Sequence, residues 1–598
     1  MLNMNSSINQ VILRDSSRNR WLRFDKPLET IEAYRYEDVL GKLRHVEESV
    51  FHRGLHAAGM IAYEAAPGFD PSLVVRNDGE FPLLWFGLYD QPCEVDIRPE
   101  SIETQHQGID WLSSVTSEEY CSAFERIKNY IRDGDTYQVN YTYRLRGSFS
   151  TDPWSFFLRL LSAQGPALGA FITTKDWIIC SASPELFFRL DGDLLESRPM
   201  KGTAARGLTF DQDCSQAAML QASAKNRAEN LMIVDMIRSD MGRIARTGSV
   251  NVPSLFTIEK YPTLWQMTST VWAETSASLT DIFKAMFPPA SITGAPKNRT
   301  MQIIAELETS PRRIYTGAIG FIAPDRRAQF NVAIRTLIIN RERSQAEYGV
   351  GGGIVWDSDC DMELLETKTK ARILKEPLAQ FSLLESILWT PEGGYLLLGK
   401  HLKRIKESAE YFDYPIDIDH IRQHLMRLSQ DLQPCPYKIR LLVSKDGKPT
   451  CEAEALEFPT EKSVKTVALA LFPVDKSNPF LYHKTTNRRV YEEALSACPG
   501  YTDVILYNQD GEVTESLIAN VVIEMDGELI TPHVCCGLLP GTYREWMLEM
   551  NLIKEKPITI DQLLQSPCVF LINSVRGMYR VGVESKNRFS FPEKKGKK

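Results

Sequence analysis

Residues 197–207 read SRPMKGTAARG, and the role of the single lysine in that stretch, Lys201, decides how the first half of the chain is read. The run before it, LFFRLDGDLLESR at 186–198, is two β-like segments joined by Asp191-Gly192-Asp193. That is a hairpin signal, and it delivers Lys201 at the end of a strand. A lysine beside glycine is ordinarily a solvated turn residue. Another role has to come from its neighbours.

At 598 residues the chain is too long for one core and divides into domains. With 43% hydrophobic and 24% charged residues the composition is that of an ordinary globular protein. Lys and Arg number 69 against 77 Asp and Glu, a net charge of −8, which excludes a general polyanion binder. The one basic run, PEKKGKK at 592–598, reads as a solvated end. MLNMNSSINQ lacks a basic segment followed by an apolar stretch, and no window has the unbroken apolar length of a membrane span, so a cytoplasmic location is expected. The 11 cysteines show no C-x-x-C spacing. They are expected as reduced, mostly buried thiols rather than zinc ligands or a disulfide framework.

The pattern changes near ARILKEPLAQFSLLES (371–386), where a basic helical stretch reaches Pro377 and a new apolar run begins. The expected division is a first domain over 1–375, a linker over 376–382 and a second domain over 383–598. In the first, strand-like runs such as LGAFITT and FNVAIRTLII alternate with helical stretches such as SEEYCSAFERIKNYIRDG and AENLMIVDMIRSDMGRIA. In the second, YKIRLLVS, DVILYN and NVVIEMDGELITP are short strands, and KHLKRIKESAEYF has helical spacing. Both domains read as mixed α+β.

Two acidic segments stand on helical faces. In CDMELLETKTKA (360–371), Glu363 and Glu366 are spaced i and i+3, with Lys370 one turn further on. Glu229 leads into the apolar helix of AENLMIVDMIRSDMGRIA. Surface ion pairing accounts for either alone. Two or three carboxylates converging on one pocket make instead a hard oxygen site suited to Mg²⁺. GVGGGIV (349–355) reads as a glycine-rich strand end whose amides approach an anion closely. Arg335, within the apolar strand VAIRTLI, needs an anion, either a ligand or an internal carboxylate.

GDTYQVNYT (134–142), SASPELFFRL (181–190), RPMKGT (198–203), the helix ending MIRSDMGRI, FPPASITGAPK (287–297) and GGGIVWDS with its following acidic helix occur in the order of the chorismate-utilising enzymes, which this half resembles over residues 20–375. The resemblance implies a β-sandwich core flanked by helices. Within the family, lysine in the P-x-K-G-T motif resembles component I of aminodeoxychorismate synthase, whereas anthranilate synthases carry a small residue there. It implies that Lys201 attacks C2 of chorismate as the C4 hydroxyl leaves, that Glu185 is the general acid, and that Glu229, Glu366 and Glu363 hold Mg²⁺. Substrate contacts are implied for Gln138, Thr293, Tyr315, Arg335, Gly351, Gly352 and Lys370. Water-using relatives place a lysine base where this chain has Gln138, so its absence favours ammonia as nucleophile. Two departures from the family pattern are Asn226, often acidic in relatives, and Gln266, in a segment where many carry histidine. No segment resembles a glutamine amidotransferase, so ammonia is expected from a separate glutaminase subunit or from solution.

In the second half, LYHKTTNRRVYEEAL puts Lys484 at a strand end before a helix, and GEVTESLIANVVI puts Glu515 at a turn before a strand. With Arg404 in KHLKRIKESA, LLPGTYR (538–544) and FLINSVRGM (570–578), the set resembles fold-type IV pyridoxal-phosphate enzymes over 381–585. The resemblance implies that Lys484 carries the cofactor and shuttles protons, and that Glu515 pairs with the pyridinium nitrogen. It implies that Arg404, the amides of Gly541 and Thr542, and Ser516 hold the phosphate, with Asn573 and Arg576 in the active-site wall. A homodimer through this domain is a family expectation. FLINSVRGM and the fused partner favour 4-amino-4-deoxychorismate lyase over a branched-chain or D-amino-acid aminotransferase. The expected activity is 4-aminobenzoate synthesis, a step toward folate. The alternatives are a transaminase second half, an anthranilate synthase first half, and a silent domain serving as a scaffold.

Overall fold

The computed structural model describes residues 8–97, 109–165, 167–374, 381–457 and 464–585. The expected 376–382 linker, apart from Phe381 and Ser382, and the basic tail lie outside them. The chain forms two compact units. Unit one comprises residues 1–206 and 216–378, and unit two comprises 207–215 and 379–598, so nine residues of the N-terminal block group with the C-terminal unit. In unit two the Tyr411 hydroxyl donates to the Gly207 carbonyl at 2.8 Å.

The first unit grows outward from the hairpin. Leu186–Asp191 pairs antiparallel with Leu194–Arg198, and Gly192 takes a left-handed φ of 58° at the turn. This hairpin sits inside one of two large antiparallel sheets. Val11, Leu13, Phe24, Ile172 and Ile179 from one sheet meet Met60, Trp85, Ile319 and Phe321 from the other in a buried apolar layer. That is a β-sandwich. Helices cover both outer faces. Helix α1, Ser117–Arg132, buries Tyr120, Phe124 and Ile127 on one. Helix α2, Ala224–Gly242, buries Ile233, Val234 and Ile237 on the other. Thr116 and Glu119 close a capping box at the start of α1.

Two expectations change and one holds. FNVAIRTLII is not one strand: Arg327–Val332 belongs to one sheet and Thr336–Asn340 to the other, and the chain crosses between them at Arg335, whose φ is +51°. An apolar run buried on both sides of a sandwich carries no mark of the crossing. The triple glycine lies at a strand end as expected: Gly351, Gly352 and Gly353 pair with Thr142, Tyr141 and Asn140 in the last four residues of Gln345–Ile354. The cysteines are neither all reduced nor mostly buried. Cys121 on α1 and Cys360, the first residue of helix α3 (Cys360–Ala371), form a disulfide, and of the nine free cysteines only Cys180, Cys498 and Cys536 are buried. A separation of 239 residues leaves no spacing signal for that pair.

The second unit has a four-stranded antiparallel sheet carrying helix α4, Leu398–Phe412, and a mixed eight-stranded sheet that closes through the pair Glu515↔Asn520. No described helix is long and apolar enough to cross a membrane.

One buried charge network fixes the first unit's interior. Glu308, 3% exposed, accepts from the Thr142 amide and hydroxyl at 2.9 and 2.8 Å and from Arg312 Nη2 at 2.6 Å, with Arg144 Nη2 at 3.5 Å. Arg312 also donates to the carbonyls of Ile292 and Asn140 at 2.9 and 2.6 Å. Glu308→Gln strands two buried guanidiniums, and the expected loss is about 3–5 kcal/mol of unfolding free energy, read from denaturant titration.

Candidate active sites

Lys201 lies second in the strand Met200–Ala205. Met200 faces Thr268 and Thr203 faces Gln266, so Lys201 and Gly202 together oppose Met267 in a β-bulge. Gly202 takes φ +93°, a conformation a side chain rarely adopts, and this kink re-aims the lysine. Asn230 Nδ2 and Gln266 Nε2 donate to the carbonyls of Lys201 and Gly202 at 3.2 and 2.9 Å. Gln266, a departure from the family pattern, thus holds the bulge.

The lysine is surrounded by groups of both signs. Burial lowers its pKa, Glu229 pulls it back, and Lys370 adds to the lowering. Glu185, in the break between Trp177–Ser183 and Leu186–Asp191, is 3% exposed. Burial pushes its carboxyl up to about 7, with Ser291, Lys201 and the Met200 amide opposing. A Cβ on Gly353 would lie 2.4 Å from Gln138 Nε2 and 3.0 Å from Lys201 Nζ, so this glycine gives both side chains room. Gln138 is 1% exposed, and neither its Oε1 nor its Nε2 has a hydrogen-bond partner among the described residues. A buried amide left in that state suits a ligand that both donates and accepts.

On α3, N-capped by Asp359, Glu363 accepts from Ser358 Oγ at 2.7 Å and Glu366 pairs with Lys370 at 2.7 Å. Lys370 Nζ also donates to the Gly351 carbonyl at 2.9 Å. Burial raises the pKa of Glu229 and Glu363, whereas Lys370 lowers that of Glu366. Among the described residues no three His, Cys, Asp or Glu side chains gather as a ready metal cluster. An all-carboxylate donor set, two members of which burial leaves reluctant to ionise, nevertheless matches the oxygen chemistry of Mg²⁺.

The other expected contacts vary. Arg335 Nη1 donates to the Lys370 carbonyl at the sheet crossing. Tyr315 is buried, and its ring lies against Gly349, where a Cβ would come within 2.3 Å. The Thr293 hydroxyl is directed to the carbonyls of Pro289 and Ala290.

In the second unit, Lys484 precedes helix α5 (Arg489–Ser496) in an irregular segment rather than at a strand end. Its carbonyl accepts from the Leu384 amide at 3.0 Å. Burial and the Arg404 guanidinium lower its amine to about 8. Glu515 is inside the strand Val513–Ser516, not at a turn. It accepts from Tyr491 Oη at 2.8 Å, the Leu539 amide at 3.2 Å and Asn520 Nδ2 at 3.4 Å, and burial pushes it up to about 7.

Arg404 donates to both oxygens of Glu385, at 2.8 and 2.6 Å, and to the Pro540 carbonyl at 3.1 Å. Burial alone would raise Glu385, but Arg404 and His401 hold it at about 2. His401 bridges Glu385 at 2.7 Å and Thr542 Oγ1 at 3.3 Å. Thr542 opens helix α6, Thr542–Glu549, after Gly541, where a Cβ would strike Asn520 Oδ1 at 2.1 Å. The Ser516 hydroxyl is directed to Asp503 at 3.0 Å, and Asn573 Oδ1 accepts from the amides of Val575 and Arg576.

Glu385, His401, Tyr491 and Asn520 escape the sequence reading. The available signals are a glutamate inside the apolar run FSLLESILW and a histidine three residues before Arg404, on the same helical face.

The fold of the first unit is that of a chorismate-utilising enzyme. Residues 9–376 match the family of chorismate binding enzymes and residues 382–582 match amino-transferase class IV. The chain belongs to the chorismate binding enzyme family and carries a class IV aminotransferase domain after it. Aminodeoxychorismate synthase component 1 of Escherichia coli is 36% identical over 389 residues, 60% of this chain and 84% of that protein. The protein of the same name from Bacillus subtilis is 40% identical over 361 residues, 54% of this chain and 76% of its own length. A Bacillus anthracis structure described as a putative 2,3-dihydroxybenzoate-specific isochorismate synthase shares the fold, with a TM-score of 0.52 at 16% identity over 62% of this chain and 96% of that one.

The class IV domain implies pyridoxal phosphate. The residues fit it: a buried amine lowered to about 8, a buried carboxylate held by three donors, and the N-terminus of α6, capped by Gly541, beside a guanidinium.

Two glycines test these cradles. Gly353→Ala is expected to abolish turnover at the first site at a cost of about 1–3 kcal/mol, seen as lost chorismate consumption with a modest fall in Tm. Gly541→Ala is expected to weaken capture of pyridoxal phosphate, measured by fluorescence titration, while the first activity persists.

Proposed function

We propose that the chain makes 4-aminobenzoate in two steps, aminodeoxychorismate synthesis in the first unit and pyruvate elimination in the second. The observation that carries the reading is Lys201, a buried amine lowered by burial that stands on a β-bulge beside Glu185, whose carboxyl burial raises to about 7. Lys201 Nζ bonds to C2 of chorismate while the C4 hydroxyl departs with a proton from Glu185. Ammonia then bonds to C4, and the C2 bond to Lys201 breaks. Glu229, Glu363 and Glu366 would hold Mg²⁺, which supplies a positive charge for the ring carboxylate. Gln138, with no titratable group, does not activate water. Gln138, Thr293, Tyr315, Arg335, Gly351, Gly352 and Lys370 line the substrate side. Ammonia comes from a separate glutaminase or from solution.

In the second unit, pyridoxal phosphate supplies an electron sink for C4 of the amine. Lys484 would hold the cofactor and take the C4 proton, and the C3–O bond breaks to release enolpyruvate, which takes up a proton at carbon to become pyruvate and leaves the aromatic product. Glu515 keeps its charge against the ring nitrogen. Arg404 and the amides of Gly541 and Thr542 hold the phosphate, and Ser516 acts through Asp503 and the turn it anchors. Asn573 shapes the wall through the turn it staples.

The deciding assay supplies chorismate, an ammonium salt, Mg²⁺ and pyridoxal phosphate without any keto acid, with products read by mass spectrometry. Equimolar 4-aminobenzoate and pyruvate are expected. Accumulated aminodeoxychorismate leaves the second unit a transaminase or inactive, and anthranilate refutes the role of Lys201. Glu185→Gln is expected to slow the first step by about 10²–10⁴-fold. Borohydride reduction of the loaded protein fixes mass on the Lys484 peptide. Because a protonated amine does not react, cofactor capture by the apo-protein rises with pH through about 8 and levels off above it. A flat profile from pH 6.5 to 9.5 contradicts the buried-amine assignment.

A further inference from the structure

Helix α3 carries Glu363, Glu366 and Lys370, yet little packing holds it. Of its twelve residues only Thr367 is fully buried, while Met362 and Leu365 are 65% and 55% exposed. A helix of this length does not persist on propensity alone. From the core it is held chiefly beyond its first turn: Tyr143 Oη and Thr367 Oγ1 lie 2.9 Å apart, and Leu364 and Ala371 pack on the buried cluster, which Cys360 also touches. Its first turn is anchored from α1. Cys121 and Lys128, seven residues apart and on one face of α1, reach the same short segment. Cys121 is bonded to Cys360, and Lys128 Nζ donates to the carbonyls of Trp356 and Ser358. Ser358 in turn donates to Glu363 at 2.7 Å and to no other side chain. Both cysteines are partly exposed, within reach of a small dithiol.

We propose that Cys121–Cys360 is a reversible thiol–disulfide site that sets how firmly the first turn of α3, and Glu363 with it, is presented to the metal. The effect on the metal rests on the Mg²⁺ reading above; the effect on the helix does not. In the exchange a dithiol reductant gives up two electrons and two protons. Its own sulfurs become a disulfide, the Cys121–Cys360 bond breaks, and each cysteine ends as a thiol. The reverse step is driven by a small-molecule disulfide such as oxidised glutathione. Opening the link removes the covalent tie between α1 and that segment, so residues 360–363 loosen while Glu366 and Lys370, on the core-anchored half, stay.

The test compares the full chain after dithiothreitol and after oxidised glutathione. Alkylation followed by peptide mapping is expected to label Cys121 and Cys360 only in the reduced sample. Amide hydrogen exchange is expected to speed up at 360–363 on reduction and not at 366–371. Calorimetric Mg²⁺ affinity should fall about tenfold, the size typical of losing support behind a ligand, and return on reoxidation. Cys121→Ser should behave as the reduced protein under both treatments, and Cys93→Ser should respond as the unaltered chain does. Equal exchange at 360–363 in both states, alkylation of both cysteines in the oxidised sample, or unchanged Mg²⁺ affinity overturns the inference. A chain that switches in exchange and Mg²⁺ affinity but consumes no chorismate in either state overturns the proposed function instead.

Discussion

Everything in the first site hangs on one buried carboxylate. Glu308 sits between Arg144 and Arg312, and Arg312 extends the same network to the carbonyls of Ile292 and Asn140. Those carbonyls belong to the two segments that supply Thr293 and Gln138. A buried ion pair of this kind adds little net stability compared with apolar residues of similar volume. What it adds is position, because two guanidiniums in a dry interior tolerate few arrangements of the backbone that satisfies them. The Arg312 amide completes the frame by donating to Glu64 at 2.7 Å, a carboxyl that burial pushes up to about 8.

The two sites use the same device in opposite company. Each has a lysine whose amine is lowered first by burial. Around Lys201 the strongest neighbour is the carboxylate Glu229, so part of the lowering is undone. Around Lys484 the strongest neighbour is the guanidinium Arg404, which deepens it. A lysine held near 8 beside cations is ready to attach a carbonyl cofactor. A lysine held among carboxylates is better placed to act on an anionic substrate that brings a cation with it.

Much of this was legible in the chain. The hairpin, the helices carrying Glu229 and Glu366, the two-domain division of family motifs and the β-sandwich all follow from short runs with clear periodicity or from ordered motifs. What stayed hidden has a common physical cause. The crossing at Arg335 lies in a run that is apolar on both sides, so alternation gives no signal. The disulfide joins residues far apart in sequence. Glu385 and His401 act through Arg404 and Thr542, and a residue that works by holding another leaves no motif of its own. The Lys201–Gly202 bulge was half visible: the glycine was there to read, but the two-against-one register came only from the partner strand.

Burial drives Glu185 and Glu515 to the same value, about 7, and the two proposed roles need opposite protonation states. The difference lies in what arrives. Around Glu185, burial outweighs the opposing pull of Ser291, Lys201 and the Met200 amide, so the carboxyl is raised before any ligand arrives, and a raised pKa is the useful state for a group that gives a proton to a departing hydroxyl. Glu515 already has three donors aimed at its oxygens, a preformed arrangement for an anion. A protonated ring nitrogen of the cofactor, in the proposed role, would complete that arrangement with a positive charge and lower the carboxyl again. The unloaded value of Glu515 is therefore the strain of an anion site waiting for its cation, whereas that of Glu185 is its working condition.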